Sequence, residues 1–260
     1  MEFEGRTVIV TGAGTGVGAA AAKRLAGGGA NVVVNYSRSR DEAEAVAAAC
    51  REAGGDAAAV QGDVADDGDC KRLAGEAVAR WGRIDGLINS AGTTVFRPGN
   101  DFETLSQEDF QRIYSVNVVG AFLMTRAVSA QMKAQGSGSV VNISSIAGVM
   151  GVGSSIAYAA SKGALNTLTL SLARALAPEI RVNTVAPGFI TGRWWREKMG
   201  EGYDKMVANT EAATPLKRAG TPEDMAAAAV WLLCGDINIT GEILISDAGM
   251  HLGAAPLKAR

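Results

Sequence analysis

The chain has 260 residues, 47% of them hydrophobic and 20% charged, with a net charge of −2 at pH 7. That balance is ordinary for a soluble globular protein, and without a basic block it favours neither nucleic acid nor an anionic membrane surface as a partner. The three cysteines, Cys50, Cys70 and Cys234, form no CxxC pair and read as reduced thiols of a cytoplasmic protein, and the lone histidine, His251, argues against a Ser-His-Asp hydrolase or a metal site, so no metal is expected.

The opening MEFEGRTVIVTG lacks the basic and apolar regions of a secretory signal. Within it, residues 6–11 read as a first strand that runs straight into TGAGTGVGAAAA. Glycine allows a tight turn and close backbone approach, and the start of the following helix offers free N–H groups to a pyrophosphate. The strict GxGxxG spacing begun at Gly12 fails at Val17, whereas TGxxxGxG fits as Thr11, Gly12, Gly16 and Gly18, with Gly14 and Thr15 inside the turn. The alternative is a turn with packing glycines.

Further strands are read at 31–36, 57–62, 84–89, 139–144, 180–186 and 242–246. Several are continuous apolar runs, the pattern of strands covered on both faces. Between them lie helical patterns. RDEAEAVAAACREAGG puts Ala43, Val46, Ala47 and Cys50 on one stripe, with acids in its first turn and Gly54-Gly55 as a stop. The most apolar helix, Ala157 to Ala177, is interrupted by Lys162 and Arg174 and does not read as a membrane span. This alternation predicts an α/β fold: a Rossmann-like, doubly wound, seven-stranded parallel sheet with helices on both faces, in one domain over 1–260.

The second strand ends in NYSRSR. NAD-specific folds usually place a carboxylate here, about 20 residues beyond the glycine turn. Tyr36 occupies that position, and no acid occurs before Asp41. Ser37 and Arg38 suit a 2'-phosphate instead, because a hydroxyl can donate to it and a guanidinium can engage two oxygens. NADP(H) is therefore the preferred cofactor, with NAD(H) still usable; the alternative is an exposed loop opening a helix.

Residues 189–215 fit neither period, and a loop of that length inside a compact domain is usually functional. It reads as a substrate lid. Trp194, Trp195, Met199, Tyr203 and Met206, interspersed with Arg193, Arg196, Lys198 and Lys205, could cover an apolar acyl chain with an anionic end, although amphipathic helices have the same composition.

In AYAASKGAL, Tyr158 and Lys162 stand one helical turn apart and share a face. Alone, such a pair is more often solvated than chemical. Together with the glycine turn, NSAG at 89–92, Asn117 in VNVVGAF, ISSIAG at 143–148 and APG at 186–188, it makes the chain resemble the short-chain dehydrogenase/reductase family from residue 6 to about 250. The resemblance is to the compact, single-domain type, similar to 3-oxoacyl-carrier-protein reductases.

The resemblance implies a carbonyl–alcohol oxidoreductase with Tyr158 as general acid/base. Ser145, with Ser144 as its competitor, would bond the reacting oxygen. Lys162 would hold the nicotinamide ribose, and Asn117 would bind a relay water or simply kink its helix. Asn89, Ala91 and Gly92 would line the adenine-ribose side, Asp63 and Val64 the adenine, and Pro187, Gly188 and Ile190 the nicotinamide pocket. Where the family often has a carboxamide-binding threonine, this chain has Gly192, and Thr191 is the nearest hydroxyl. Ser90 departs from the common asparagine, Thr15 from an arginine frequent in NADP-preferring relatives, and Ala248 from a frequent glycine, the last reading as a small packing change.

Electrostatics add one expectation. A lysine ammonium about 5 Å from a phenol, at an effective dielectric near 20, would lower its pKa from about 10 by roughly two units. The partners expected are a small-molecule carbonyl or alcohol and further copies of the chain, joined in a homotetramer through the helices around Asn117 and after Tyr158. A nucleotide-binding regulator without turnover, or an NAD(H)-preferring alcohol or sugar dehydrogenase, are the other readings.

Overall fold

A computed structural model describes residues 3–97, 102–233 and 238–253; Cys234 lies outside them. Seven short apolar runs form strands within two residues of the expected positions: β1 (Thr7–Val10), β2 (Asn31–Tyr36), β3 (Asp56–Gln61), β4 (Gly86–Asn89), β5 (Gly138–Ile143), β6 (Ile180–Pro187) and β7 (Ile243–Ser246). All neighbours pair in parallel in the order β3-β2-β1-β4-β5-β6-β7. The order reverses between β1 and β4, which opens a crevice at the carboxyl ends of those strands.

The apolar runs are unbroken because each face of the sheet has its own core. Val8, Val10, Val32, Val34 and Val185 pack with helices α1 (Gly16–Gly27), α2 (Arg40–Glu52) and α10 (Pro222–Leu233). Ile9, Val33, Leu87, Val140 and Val182 pack with α3 (Asp67–Trp81), α5 (Ala121–Ala134) and α7 (Ile156–Leu176). Alternate residues of one strand thus enter opposite cores. The stripe read on α2, Ala43, Val46, Ala47 and Cys50, is buried as expected.

The stretch from α4 (Gln107–Tyr114) through a π-helical turn (Ser115–Gly120) to the end of α5 is long and apolar enough, by composition, to cross a membrane. Met124, Val128 and Met132 are nevertheless fully buried in the core shared with α3 and the sheet, the position of a core helix. Cys50 and Cys70 are free and buried, and burial pushes their thiols up to about 11 and about 12. Neither is an activated thiolate.

Beyond β7, Asp247 accepts hydrogen bonds from the backbone of Gly249 and His251 and pairs with the His251 ring. Ala248, inside that turn, has φ of +57°. The expected packing change at 248 is therefore a backbone matter: an alanine stands in the left-handed region that glycine occupies without strain. Ala248→Gly should stabilise the protein by about 0.5–1 kcal/mol, the relief of a left-handed side chain less the extra freedom glycine gives the unfolded chain. Thermal denaturation should show a rise of about 2 °C; a fall would mean that the alanine methyl packs usefully despite its backbone.

Candidate active site

The crevice is built first from backbone. Thr11 closes β1 with a hydroxyl that accepts the amides of Ser90 and Ala91, both at 3.1 Å, tying the glycine turn to the end of β4. Gly12 has φ of +60°, and a Cβ there would lie 2.8 Å from the Ala91 Cα. A Cβ on Gly14 would meet the Ser39 hydroxyl at 2.7 Å, and one on Gly18 the Gly12 carbonyl oxygen at 2.7 Å. Nothing stands within 4 Å of the position a Cβ on Gly16 would take. Thr15 is the N-cap of α1 without a side-chain cap, so the first amides of the helix, those of Gly16, Val17 and Gly18, lack side-chain partners. Open space, tight turn and free amides together fit a phosphate.

A cleft of about 550 Å³ extends from Gly12 past Ser37 and Arg38 to Asp63 and Val64 on one side and Ala91 and Gly92 on the other. Seven of the residues expected to bind cofactor thus share one wall-lined space. Arg38 is exposed, and its guanidinium forms no ion pair among the described residues, unlike Arg72, which bonds Asp69. Tyr36 is placed differently: its side chain is 6% exposed in the core, outside the cleft lining. Asp63 turns one carboxylate oxygen to the Ala65 amide. Asn89 lies behind the crevice, donating to Asn142 at 2.9 Å.

At the other end, β5 delivers Ser144 and Ser145, and α7 begins at Ile156 behind a Ser155 cap that accepts the Tyr158 amide. Ser144 is buried and donates to the backbone carbonyl of Lys162, whereas the Ser145 hydroxyl accepts the Ala147 amide and stands near enough to the Tyr158 phenol to lower its pKa. The two serines thus face different partners. The Lys162 ammonium, in a side chain almost wholly buried, donates to the Ile143 carbonyl at 2.8 Å and lies 5.6 Å from the centre of the Tyr158 ring. Asn117, on the π-helical turn, accepts the Thr93 amide at 2.8 Å and donates to the Thr93 carbonyl and the Ser161 hydroxyl, each at 3.0 Å.

The electrostatic expectation is corrected here. Burial raises the Tyr158 phenol to about 12, and the Ser145 hydrogen bond pulls it down only in part. Burial likewise lowers the Lys162 ammonium to about 8. The ammonium sits at the expected distance but is engaged by a carbonyl, and the loss of water around the phenol outweighs its attraction.

Past β6, Pro187 and Gly188 pack against the ends of β5 and β7: the Ile146 amide donates to Pro187, and a Cβ on Gly188 would lie 2.6 Å from the Asp247 Cβ. Ile190 bridges to Gly220, and the Thr191 hydroxyl donates to the Gly220 carbonyl. The segment expected to be a loop forms two helices, α8 (Arg193–Met199) and α9 (Tyr203–Ala213). Between β5 and α7 lies a short helix, α6 (Ala147–Met150).

Several site residues escaped the sequence reading. Asn35 accepts the Gly12 amide at 3.2 Å and donates to the carbonyls of Val60 and Gly62, so it holds the glycine turn against β3. The signal was an amide inside the apolar run NVVVNY. Gln61, Asp69, Arg72, Thr93 and Val116 also line the cleft; nothing in their local sequence marks them, because three elements bring them together.

Comparison with known proteins agrees with this arrangement. A family model described as enoyl-(acyl carrier protein) reductase matches residues 12–251. A Burkholderia xenovorans structure assigned to the short-chain dehydrogenases/reductases superposes with a TM-score of 0.89 at 41% identity, covering 95% of this chain and 98% of its own. NAD+-bound xylitol dehydrogenase superposes with a TM-score of 0.86 at 32% identity over 94% of this chain and 98% of its own. L-rhamnose 1-dehydrogenase (NAD(P)(+)) of a Sphingomonas species is 36% identical over 96% of this chain and 97% of its own length.

The lowered Lys162 ammonium makes stability depend on pH. Between about 8 and its ordinary 10.5 the unfolded chain binds more protons at this site than the folded one, so stability rises with pH through that window. Lys162→Met, which removes the buried charge, should therefore gain on wild type at pH 7 and lose most of that advantage by pH 10, a change of up to about 3 kcal/mol. Chemical denaturation of both proteins at the two pH values measures it, and an unchanged difference would show that the ammonium is not desolvated.

Proposed function

Because the chain belongs to the short-chain dehydrogenase/reductase family and is an oxidoreductase of the alcohol–carbonyl pair, we propose that it is an NADP(H)-preferring, cytoplasmic enzyme in which Tyr158 is the general acid/base. The observation that carries this reading is the buried Lys162 ammonium, 5.6 Å from the centre of the Tyr158 ring and held by the Ile143 carbonyl, with the Ser145 hydroxyl beside the phenol. A protein that only binds nucleotide has no use for a proton donor there.

The nicotinamide, when bound, supplies or takes the hydride at the carbonyl carbon. Gly12, Gly14, Thr15, Gly16, Val17 and Gly18 would carry its pyrophosphate, and Asp63, Val64, Ala91 and Gly92 its adenosine half. Ser145 fixes the substrate oxygen, and Tyr158 gives that oxygen its proton in reduction or removes it in oxidation. A phenol near 12 stays protonated at neutral pH, which suits reduction; oxidation needs the phenolate and gains from every positive charge brought near the ring. Lys162, charged at neutral pH, supplies one such charge. Both ends of the Asn117 amide are engaged, so its side chain holds the Thr93 loop against α7 and any relay water would meet the loosened backbone of the π turn. The chain acts as one domain, with α8 and α9 as the lid.

The preference for NADP(H) rests on Ser37 and the unpaired Arg38 at the cleft wall, in the absence of an acid at the end of β2. Assembly as a homotetramer is supported by exposed Phe110, Tyr114, Val119 and Phe122 along the α4–α5 stretch and by Leu170 on α7. Light scattering at micromolar concentration should give four chains; a monomer would end that reading.

Two substitutions separate the parts. Tyr158→Phe should cut turnover at least about a hundredfold with little change in cofactor affinity, as expected when general acid catalysis is lost; near wild-type kcat would place the proton donor elsewhere. Arg38→Ala should raise the NADPH KM about tenfold or more and leave the NADH KM nearly constant, in line with the loss of a charged hydrogen bond. Wild-type kcat/KM higher for NADH than for NADPH would overturn the cofactor preference.

A further inference from the structure

We infer that the substrate site takes a ketone carried on or beside a flat apolar ring, in preference to a polyol or an acyl thioester. The inference rests on the reading above that the carbonyl reacts at Tyr158. Aromatic side chains from three separate segments meet at Trp195, whose chain neighbour Trp194 touches Tyr158. Trp195 on α8 lies edge-on to Phe96 from the chain after β4, with ring centres 5.3 Å apart at 69°, and tilted on Phe189 from the chain after β6, at 5.6 Å and 40°. Its neighbour Trp194 lies edge-on to Tyr158 itself, at 6.4 Å and 72°, yet is 48% exposed. Trp194 therefore keeps open indole surface beside the reacting phenol. Flat rings prefer offset and edge-on contacts of this kind.

The walls are anchored as well as apolar. The Arg97 amide donates to the Ser154 carbonyl at 2.9 Å, and the Thr94 and Ser154 hydroxyls share a bond of 2.6 Å, so the Phe96 segment is pinned to the chain that leads into α7. Between Ser145 and Tyr158, that chain exposes Val149, Met150 and Val152.

Polar groups to hold a polyol are missing from these segments. Residues 93–97, 145–158 and 187–195 contain no Asp, Glu, Asn or Gln. The hydroxyls of Thr94, Ser154, Ser155 and Thr191 are bonded within the protein. Thr93, Ser145 and Tyr158 are left, too few to match the hydroxyls of a polyol once one substrate oxygen is held. A sugar would bring several hydroxyls out of water without partners, at a cost in affinity. An anionic tail finds few free cations: Arg193 is paired with Glu42 and the Arg196 guanidinium stacks on the Tyr203 ring at 4.4 Å, which leaves the Lys198 ammonium, 5.5 Å from the Phe96 ring centre. A rigid ring also loses less conformational freedom on binding than a flexible acyl chain.

The test compares three probes with NADPH: 2-tetralone, acetoacetyl-N-acetylcysteamine and xylulose. Reduction rates read turnover, and quenching of tryptophan fluorescence by 2-tetralone in the presence of cofactor reads binding separately. The kcat/KM for 2-tetralone should exceed that for each of the others at least about tenfold. Trp194→Ala, at a half-exposed position whose loss leaves the core intact, should raise the 2-tetralone KM about tenfold without moving the NADPH KM, and Trp194→Phe should recover most of the loss. Preference for the thioester or for xylulose would overturn the inference while leaving the oxidoreductase reading intact. Tight binding of 2-tetralone that needs Trp194 but yields no product would uphold the ring site and fail the catalytic reading. The absence of both binding and reduction of 2-tetralone would overturn the inference.

Discussion

A lysine ammonium buried to 4% exposure, with a backbone carbonyl as its partner, is the constraint around which the site is arranged. Burying an unpaired ion costs several kcal/mol, and a single carbonyl offsets only part of that. The surroundings are accordingly tight. Ser144 bonds the Lys162 carbonyl, and a Cβ on Gly148 would lie 2.5 Å from the Lys162 carbonyl carbon, so α6 and the end of β5 clamp α7 at this residue. A Cβ on Gly92 would stand 3.9 Å from the nitrogen and 3.5 Å from Asn117, both ordinary contacts. The glycine of ISSIAG is thus explained by the close approach of α6 to the backbone of α7, whereas the space around the ammonium does not require the glycine of NSAG.

The fold was legible because each strand is covered on both faces and each helix on one. Those two burial patterns are what unbroken runs and 3.6-residue stripes record. The grouping of Ser145, Tyr158 and Lys162 was legible for another reason, since the three come from adjoining elements at short sequence separation. The direction of the Tyr158 titration was not. Pair distance could be judged from helical spacing, but burial depends in part on α8, whose Trp194 meets the Tyr158 ring only in three dimensions.

The helices α8 and α9 were hidden in the sequence by the lack of a single apolar stripe. Adjacent residues on a helix point about 100° apart, and here both point into aromatic contacts: Trp194 toward Tyr158, and Trp195 toward Phe96 and Phe189. A seven-residue helix with aromatic contacts on two sides and no buried residue shows no single stripe. Asn35 was hidden in the opposite way. An amide in an apolar strand looks like a flaw in the pattern until its three backbone partners are seen, and losing any of them would leave a buried polar group unpaired.

The same logic joins the two halves of the molecule. Asn89 on β4 donates to Asn142 on β5, which donates to Thr169 on α7, whose hydroxyl shares a 2.6 Å bond with Thr184 on β6. This buried chain runs across the sheet directly behind the site, and every member is satisfied, the condition under which a polar network stiffens a core. On the open side the only tie between α8 and α2 among the described residues is the exposed Arg193–Glu42 pair, which is worth at most about 1 kcal/mol. The back of the crevice is therefore held by buried, satisfied bonds and its front by a pair that water and salt can dissolve. The floor beneath Ser145, Tyr158 and Lys162 thus rests on buried polar bonds, whereas α8 rests on the ring contacts of Trp194 and Trp195 and on one exposed ion pair.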